Sequence, residues 1–331
     1  MSCKKIDQAK NIPENVRSGP DASSTNGETS SRRTFLKGMS IGAAAASAAL
    51  VTGCVPGADA AASGELKLRW QEFFKKNYRL MTQEEKDQTV DRLERLAALK
   101  HNQELQIGTE PPLENVLYGY AFNITRCEGF MECVTACVTE NNLDRRTNTQ
   151  YIRIFEMEPG QLDPSSGDGQ YYHEVPVDNK FYMGTQCFHC ENAPCTKACP
   201  TRATWKEPDG IVVVDYDWCI GCRYCQAACP YYGRRFNWGD SEVPKDEITQ
   251  KQHYLGNRKR PMGKMEKCTF CIQRTRKGKL PACVDACPTG SRVFGNLLDP
   301  DSEIRYVLKH KKVFRMKEEL GTEPKFWYFI D

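Results

Sequence analysis

Seventeen cysteines in 331 residues are the feature most able to do chemistry, and fifteen of them fall in four groups between Cys127 and Cys287. Only Cys3 and Cys54 stand apart. The third group, Cys219-Ile-Gly-Cys222-Arg-Tyr-Cys225-Gln-Ala-Ala-Cys229-Pro230, has the spacing C-x2-C-x2-C-x3-C-P. The second, with Cys187, Cys190, Cys195 and Cys199 before Pro200, is the same run carrying a two-residue insertion. The last, with Cys268, Cys271, Cys283 and Cys287 before Pro288, has eleven residues where the run has two. The first, RCEGFMECVTACV, holds Cys127, Cys133 and Cys137 and shows Phe130 where a fourth cysteine would complete the run. Disulfides, zinc and iron–sulfur clusters compete for such thiols. Zinc wants four ligands set tetrahedrally by isolated C-x2-C pairs, and it leaves the repeated C-x3-C-P unexplained. A disulfide scaffold suits a chain too small for a core, whereas this one is long enough to bury one. Iron–sulfur chemistry accounts for the spacing. Three thiolates on a tight loop converge on three irons of one cube, and the fourth, a helical turn further on, points to the opposite side.

The third group matches the bacterial ferredoxin run, in which the fourth cysteine reaches across to a second cubane. From Tyr118 to about Leu298 the chain resembles the four-cluster iron–sulfur subunits of polysulfide, dimethyl sulfoxide and formate-dependent nitrite reductase systems and related quinone-linked complexes. The resemblance rests on the four Cys groups in order, with His189-Cys-Glu-Asn-Ala-Pro-Cys195, Asp209-Gly-Ile-Val-Val-Val-Asp215, Cys219 to Cys225 and Glu266-Lys-Cys-Thr-Phe-Cys271. It implies an α+β fold of two ferredoxin-like modules, one nested in the other, with the first Cys group pairing the fourth and the second pairing the third. It also implies ligand sets. Cys187, Cys190, Cys195 and Cys229 would hold one [4Fe–4S] cluster, Cys219, Cys222, Cys225 and Cys199 a second, and Cys268, Cys271, Cys283 and Cys137 a third. Cys127, Cys133 and Cys287 remain for a fourth. Phe130 cannot ligate iron, so a [3Fe–4S] cluster is expected there; the alternatives are an empty site or a four-iron cluster completed from elsewhere.

With every four-iron corner capped by thiolate, no open position remains for a substrate, and no catalytic residue is assigned. The expectation is an electron-transfer subunit relaying electrons between a quinone-reactive membrane subunit and periplasmic redox partners. A c-type cytochrome, a molybdopterin catalytic subunit, or both would stand at the other end. The runner-up is the beta subunit of a molybdopterin oxidoreductase; a non-redox module with purely structural clusters is the reading from another class. The net charge of +3 discriminates little, and no nucleic-acid partner is expected.

The elements that must position these groups begin with the leader. Residues 1–30 are polar and Ser/Asn/Gly-rich, a disordered composition. Arg32-Arg33 before an alanine-rich apolar run from Met39 to Thr52 resembles a twin-arginine export signal, a route that carries folded, cofactor-loaded proteins. Val51-Thr52-Gly53-Cys54 looks like a lipobox, which would acylate Cys54 and hang the chain on the periplasmic side of a bacterial membrane. Cleavage at Ala58-Asp59-Ala60 and an uncleaved anchor are the competing readings. No segment after residue 54 approaches 18 consecutive apolar residues.

The division expected is 1–53 leader and export signal, 54–115 lipid-anchored linker and helical arm, 116–182 with 262–298 the first module, 183–240 the second, 241–261 a connecting loop and 299–331 a tail. Thr82-Gln-Glu-Glu85 reads as a capping box opening a helix, and Leu66 to Tyr78 as a shorter one; the arm packs on its own domain or on a partner. Ile211–Val214 reads as a strand, 159–180 as an insertion loop, and Phe326–Phe329 as part of a tail that packs on something. His189 is expected as a hydrogen-bonded neighbour of a cluster, with tuning or ligation as the alternative. Trp205, Trp218, Tyr224, Tyr231 and Tyr232 are expected to exclude water, with quinone binding the alternative. Arg234-Arg235 and Arg258-Lys-Arg260 are expected at the surface, as docking charges or a solvated basic face.

Overall fold

The computed structural model describes residues 80–331; Arg32, Arg33, Cys54 and the Leu66–Tyr78 stretch lie outside the described residues. Among the described residues no helix is long and apolar enough to cross a membrane.

The capping box forms as its sequence demands. Thr82 Oγ1 accepts from the Glu85 amide at 3.3 Å and the Glu85 carboxylate accepts from the Thr82 amide at 2.8 Å, opening α1 (Gln83–His101). Val90 and Ala97 are its buried residues, and Glu94 accepts from the Ile107 amide at 2.7 Å at the head of β1 (Gln106–Gly108). The described part of the arm therefore packs on its own chain.

The rest is short ladders alternating with single helical turns. After β2 (Tyr118–Asn123) come α2 (Glu132–Glu140), β3 (Arg153–Met157), β4 (Phe181–Thr185), α3 (Pro194–Lys197), β5 (Thr204–Lys206) and β6 (Val212–Val214). Then follow α4 (Tyr224–Ala227), β7 (Arg234–Phe236), β8 (Lys251–His253), β9 (Met265–Lys267), α5 (Ile272–Thr275), α6 (Ala282–Asp285), β10 (Arg292–Asn296), α7 (Glu303–His310), β11 (Lys312–Phe314) and β12 (Phe326–Ile330). The helical turns α3, α4 and α6 are short because each runs into a Cys-Pro, whose ring disfavours helix in the residue before it.

One sheet has four strands in the order β10-β2-β12-β11, with β2 antiparallel to β10 and parallel to β12. All six residues of β2 are buried, because both faces of the sheet are covered. Ala121 faces Ile304 and Val307 of α7, while Tyr120 and Phe122 belong to the main core with Phe294, Phe326 and Tyr328. The Phe326–Phe329 segment is thus an inner strand of this sheet: its alternating aromatics are buried on both sides. The strand read at Ile211–Val214 forms as β6, antiparallel to β5. The remaining ladders are β3–β4 and β7–β9, both antiparallel, and β1–β8, parallel.

Helix packing brings distant Cys groups together. The α2 turn, from the first group, packs on α6, from the last; α3, from the second, packs on α4, from the third.

Candidate metal centres

Each Cys group turns through left-handed residues. The second spacer of the opening C-x2-C has positive φ in the second, third and last groups: His189 at 43°, Gly221 at 73° and Phe270 at 52°. Gly129, at 83°, holds the corresponding place in the first group. At Gly221 the reason is also steric, since a Cβ would lie 2.1 Å from the Gly263 carbonyl oxygen. The agreement continues one residue past the loop. Met131 (φ 63°, ψ 4°) caps α2 and Arg223 (φ 63°, ψ 5°) caps α4. Residues 129–131 therefore follow the course of 221–223, with Phe130 where the third group has Cys222, and both side chains are exposed. Tyr171, from the insertion loop, clamps the first loop by donating its hydroxyl to the Gly129 carbonyl at 2.7 Å.

The thiols gather in four neighbourhoods. Cys187, Cys190, Cys195 and Cys229 line one small cavity with His189, Val212 and Arg234. Cys225 feels Cys199 and Cys219, and Cys222, three residues from Cys219 and from Cys225, is exposed. Cys137 feels Cys271, Cys268 and Cys283. Cys127 feels Cys133 and Cys287. Each neighbourhood also lies within electrostatic reach of the next. Cys137 reaches Cys133 of the first group, Cys268 reaches Cys187, and Cys225 reaches Cys195. The sequence of neighbourhoods is thus Cys127–Cys133–Cys287, then the Cys268 set, then the Cys187 set, then the Cys219 set. All four thiols of the Cys268 set are buried, Cys127, Cys199, Cys229 and Cys287 are partly exposed, and Cys222 is exposed.

The surroundings suit anionic sulfur. Asn141 aims its amide at both Cys137 Sγ and Cys271 Sγ, each 3.6 Å away. The Phe270 amide lies 3.4 Å from Cys268 Sγ, and the Tyr120 hydroxyl lies 3.3 Å from Cys283 Sγ. Buried donors beside the thiols are poorly satisfied by oxygen: Arg292 Nη2 meets no acceptor among the described residues, and Arg234 turns its free N–H groups toward Cys195. Orphaned donors beside thiol cavities fit a group rich in sulfur and negative charge. Burial pushes the Cys190 thiol up to about 12 and the Cys225 thiol up to about 11. Ligation must therefore displace their protons.

His189 is a neighbour with defined bonding: its Nδ1 accepts from the Val212 amide at 2.9 Å, and its ring stacks on Phe270 at 3.7 Å. Burial, then Lys267 and Lys325, hold it well below the usual imidazole range, so the ring is neutral. The expectation of surface basic runs fails for three of their five residues, Lys259 being exposed and Arg235 half-buried. Arg234, Arg258 and Arg260 are buried; Arg260 donates to the Gly256 carbonyl at 2.8 Å and lies over the Tyr216 ring at 5.2 Å. The aromatic expectation holds for Tyr231, buried against Phe188 at 4.5 Å. It fails for Trp218, Tyr224 and Tyr232, which are exposed. Asn141, Tyr120 and Arg292 were missed because their segments carry no motif; only the offset of the arginines from the Cys-Pro pairs could have singled them out.

The 4Fe-4S dicluster domain matches residues 179–256 and 247–297. The chain is 39% identical over 211 residues to a putative dimethyl sulfoxide reductase iron–sulfur subunit of Halobacterium salinarum, covering 64% of this chain and 78% of the relative. It is 35% identical to a polysulfide reductase chain of Wolinella succinogenes, covering 63% and 92%. With the menaquinone reductase iron–sulfur cluster-binding subunit of Nitratidesulfovibrio vulgaris it shares 32% identity, over 64% and 88%. These likenesses, and thiols gathered in neighbouring sets, lead to one conclusion: this protein belongs to the family of iron–sulfur electron-transfer subunits of respiratory reductases.

Proposed function

We propose that this subunit holds four clusters in a line and connects a quinone-reactive membrane subunit at one end with a periplasmic redox partner at the other. The partner is a c-type cytochrome or a molybdopterin catalytic subunit. In this reading Cys127, Cys133 and Cys287 hold a [3Fe–4S] cluster at one terminus. Cys137, Cys268, Cys271 and Cys283 hold the next cluster, Cys187, Cys190, Cys195 and Cys229 the third, and Cys199, Cys219, Cys222 and Cys225 the last; these three are [4Fe–4S]. When bound, the clusters supply one-electron relay. The protein's part is to cap the irons with thiolate, to exclude water from the middle of the line and to leave both ends near the surface. The observation that supports the reading is the succession of four thiol sets, with the wholly buried Cys268 set inside and Cys222, the one exposed thiol among the described residues, in the last. Two ferredoxin-like modules, one inserted in the other, account for the pairing of first with last and second with third Cys groups. Export through Arg32-Arg33 and acylation of Cys54 would place the subunit on the periplasmic face of a membrane.

The test is purification from membranes with identification of co-purifying subunits, together with iron and sulfide analysis and electron paramagnetic resonance of the oxidised protein. A near-isotropic three-iron signal and a membrane partner are expected. A lone, soluble, fully active monomer would overturn the subunit reading, and a mature chain whose Cys54 carries no acyl group by mass spectrometry would overturn the lipid anchor.

A further inference from the structure

Two arginines recur at one offset. Arg234 stands five residues after Cys229 and Arg292 five after Cys287, in each case after a Cys-Pro pair. Each is the first residue of a strand, β7 and β10. Both are buried, with 1% and 4% exposure, and neither meets a carboxylate within ion-pair distance among the described residues. A guanidinium does not shed its proton, and a buried charge without a counter-charge is strongly unfavourable.

What surrounds them is sulfur. Arg292 donates through Nη1 to the Tyr120 hydroxyl and to Gln186 Oε1, both at 3.1 Å. Its Nη2 has no acceptor among the described residues. Near it lie Cys133 of the first thiol set and Cys283 of the second, and its charge also reaches Cys127 and Cys287. Arg234 donates through Nη2 to Thr204 Oγ1 at 2.8 Å, and its remaining N–H groups meet no oxygen acceptor among the described residues and lie toward the Cys195 sulfur. Its sulfur neighbours are Cys195 and Cys187 of the third set and Cys225 of the fourth. Each arginine therefore stands at the junction of two adjacent sets, once in each half of the line.

We propose that Arg292 and Arg234 are redox-positioning residues, each one fixed positive charge shared by the two cluster sites it adjoins, raising the reduction potentials of that pair together. The inference rests on the ligand sets proposed above. Adding an electron makes a cluster more negative, so a fixed cation in a poorly screened interior favours the reduced state of both neighbours. The orphaned N–H groups would give the charge its direction, donating to sulfur. Sharing the charge moves both levels of a pair in the same sense and keeps the step between them small.

The experiment uses the full chain loaded with clusters. Anaerobic redox titration followed by electron paramagnetic resonance gives the potentials of wild type, Arg292→Gln, Arg292→Lys and Arg234→Gln. Arg292→Gln should lower the reduction constants of the two clusters at the Cys127 end about tenfold, about 59 mV for one electron, and leave the other two unmoved. Arg234→Gln should do the reverse. Arg292→Lys, which keeps the charge, should retain most of the wild-type values. Unchanged potentials, an equal shift in all four clusters, or a lysine variant as impaired as the glutamine would overturn the proposal. If Arg292→Gln loses iron, retention by Arg292→Lys supports the shared charge, and equal loss from both assigns the residue to packing. Wild-type iron content and signals separately report whether the ligand sets themselves are wrong.

Discussion

Restoring the thiolate that the first Cys group lacks is the sharpest perturbation the structure offers. In Phe130→Cys the new side chain stands on a backbone already shaped for a ligand, since Met131 and Arg223 share φ 63° with ψ of 4° and 5°. Phe130 is 41% exposed, so its replacement uncovers little of the core. Roughly 120 Å² of apolar surface lost from burial is about 3 kcal/mol at most, and a fourth iron–thiolate bond offsets it. The fold should therefore survive while the cluster changes type. Iron should rise from about fifteen to about sixteen per chain, and the near-isotropic three-iron signal should fall from about one spin per molecule to near zero. Quantified electron paramagnetic resonance on anaerobically reconstituted protein, read with iron analysis, is the assay. Undiminished three-iron signal with unchanged iron would refute the placement of Phe130 at a ligand position, and a wild type lacking that signal would refute the three-iron cluster itself.

The opposite change at the other end is Cys222→Ala. It should create a second three-iron signal of about one spin, and an unaltered spectrum would remove Cys222 from the ligand set. Arg276→Met should leave Glu207 and Asp209 unpaired, at 3.0 and 3.1 Å from the guanidinium in the native chain. Losing one partner of such a buried cluster destabilises by about 3–5 kcal/mol, on the order of 10 °C in thermal midpoint at one scan rate; a drop under about 2 °C would contradict it. Burial holds His253 down to about 4, with its ring nitrogens engaged at the Leu255 amide and the Glu110 carbonyl, each at 3.1 Å. Because the folded chain keeps this imidazole neutral, the unfolded state binds the extra proton between about pH 6.5 and 4. Stability from this group is present above about pH 6.5 and lost as pH falls toward 4. His253→Asn should flatten the acid side of the thermal midpoint profile, and an unchanged slope would mean that another group sets it.

The family was legible because iron–sulfur motifs are written in local spacing. Cys219, Cys222 and Cys225 lie on one loop, so a short stretch of sequence specifies both the loop and its chemistry. The capping box at Thr82 and the β6 strand were legible for the same reason, each being set by a few adjacent residues. The C-terminal segment was not, because β12 owes its place to pairing with β2, about 200 residues away. Arg234, Arg258 and Arg260 were misplaced because charge ordinarily means surface, and only tertiary partners keep them inside: Thr204 and sulfur around Arg234, and Glu266, the Gly256 carbonyl and the Tyr216 ring around Arg260.

Sequence alone determined which thiols could bind iron, that Phe130 breaks one group, and which family the motifs resemble, since these depend on residue type and short-range spacing. Tertiary structure decided which groups adjoin, in what order, and which buried charges stand between them. Helix packing of α2 on α6 and α3 on α4, with the sheet that closes around β2, arises from contacts between residues far apart in the chain, which no local pattern records.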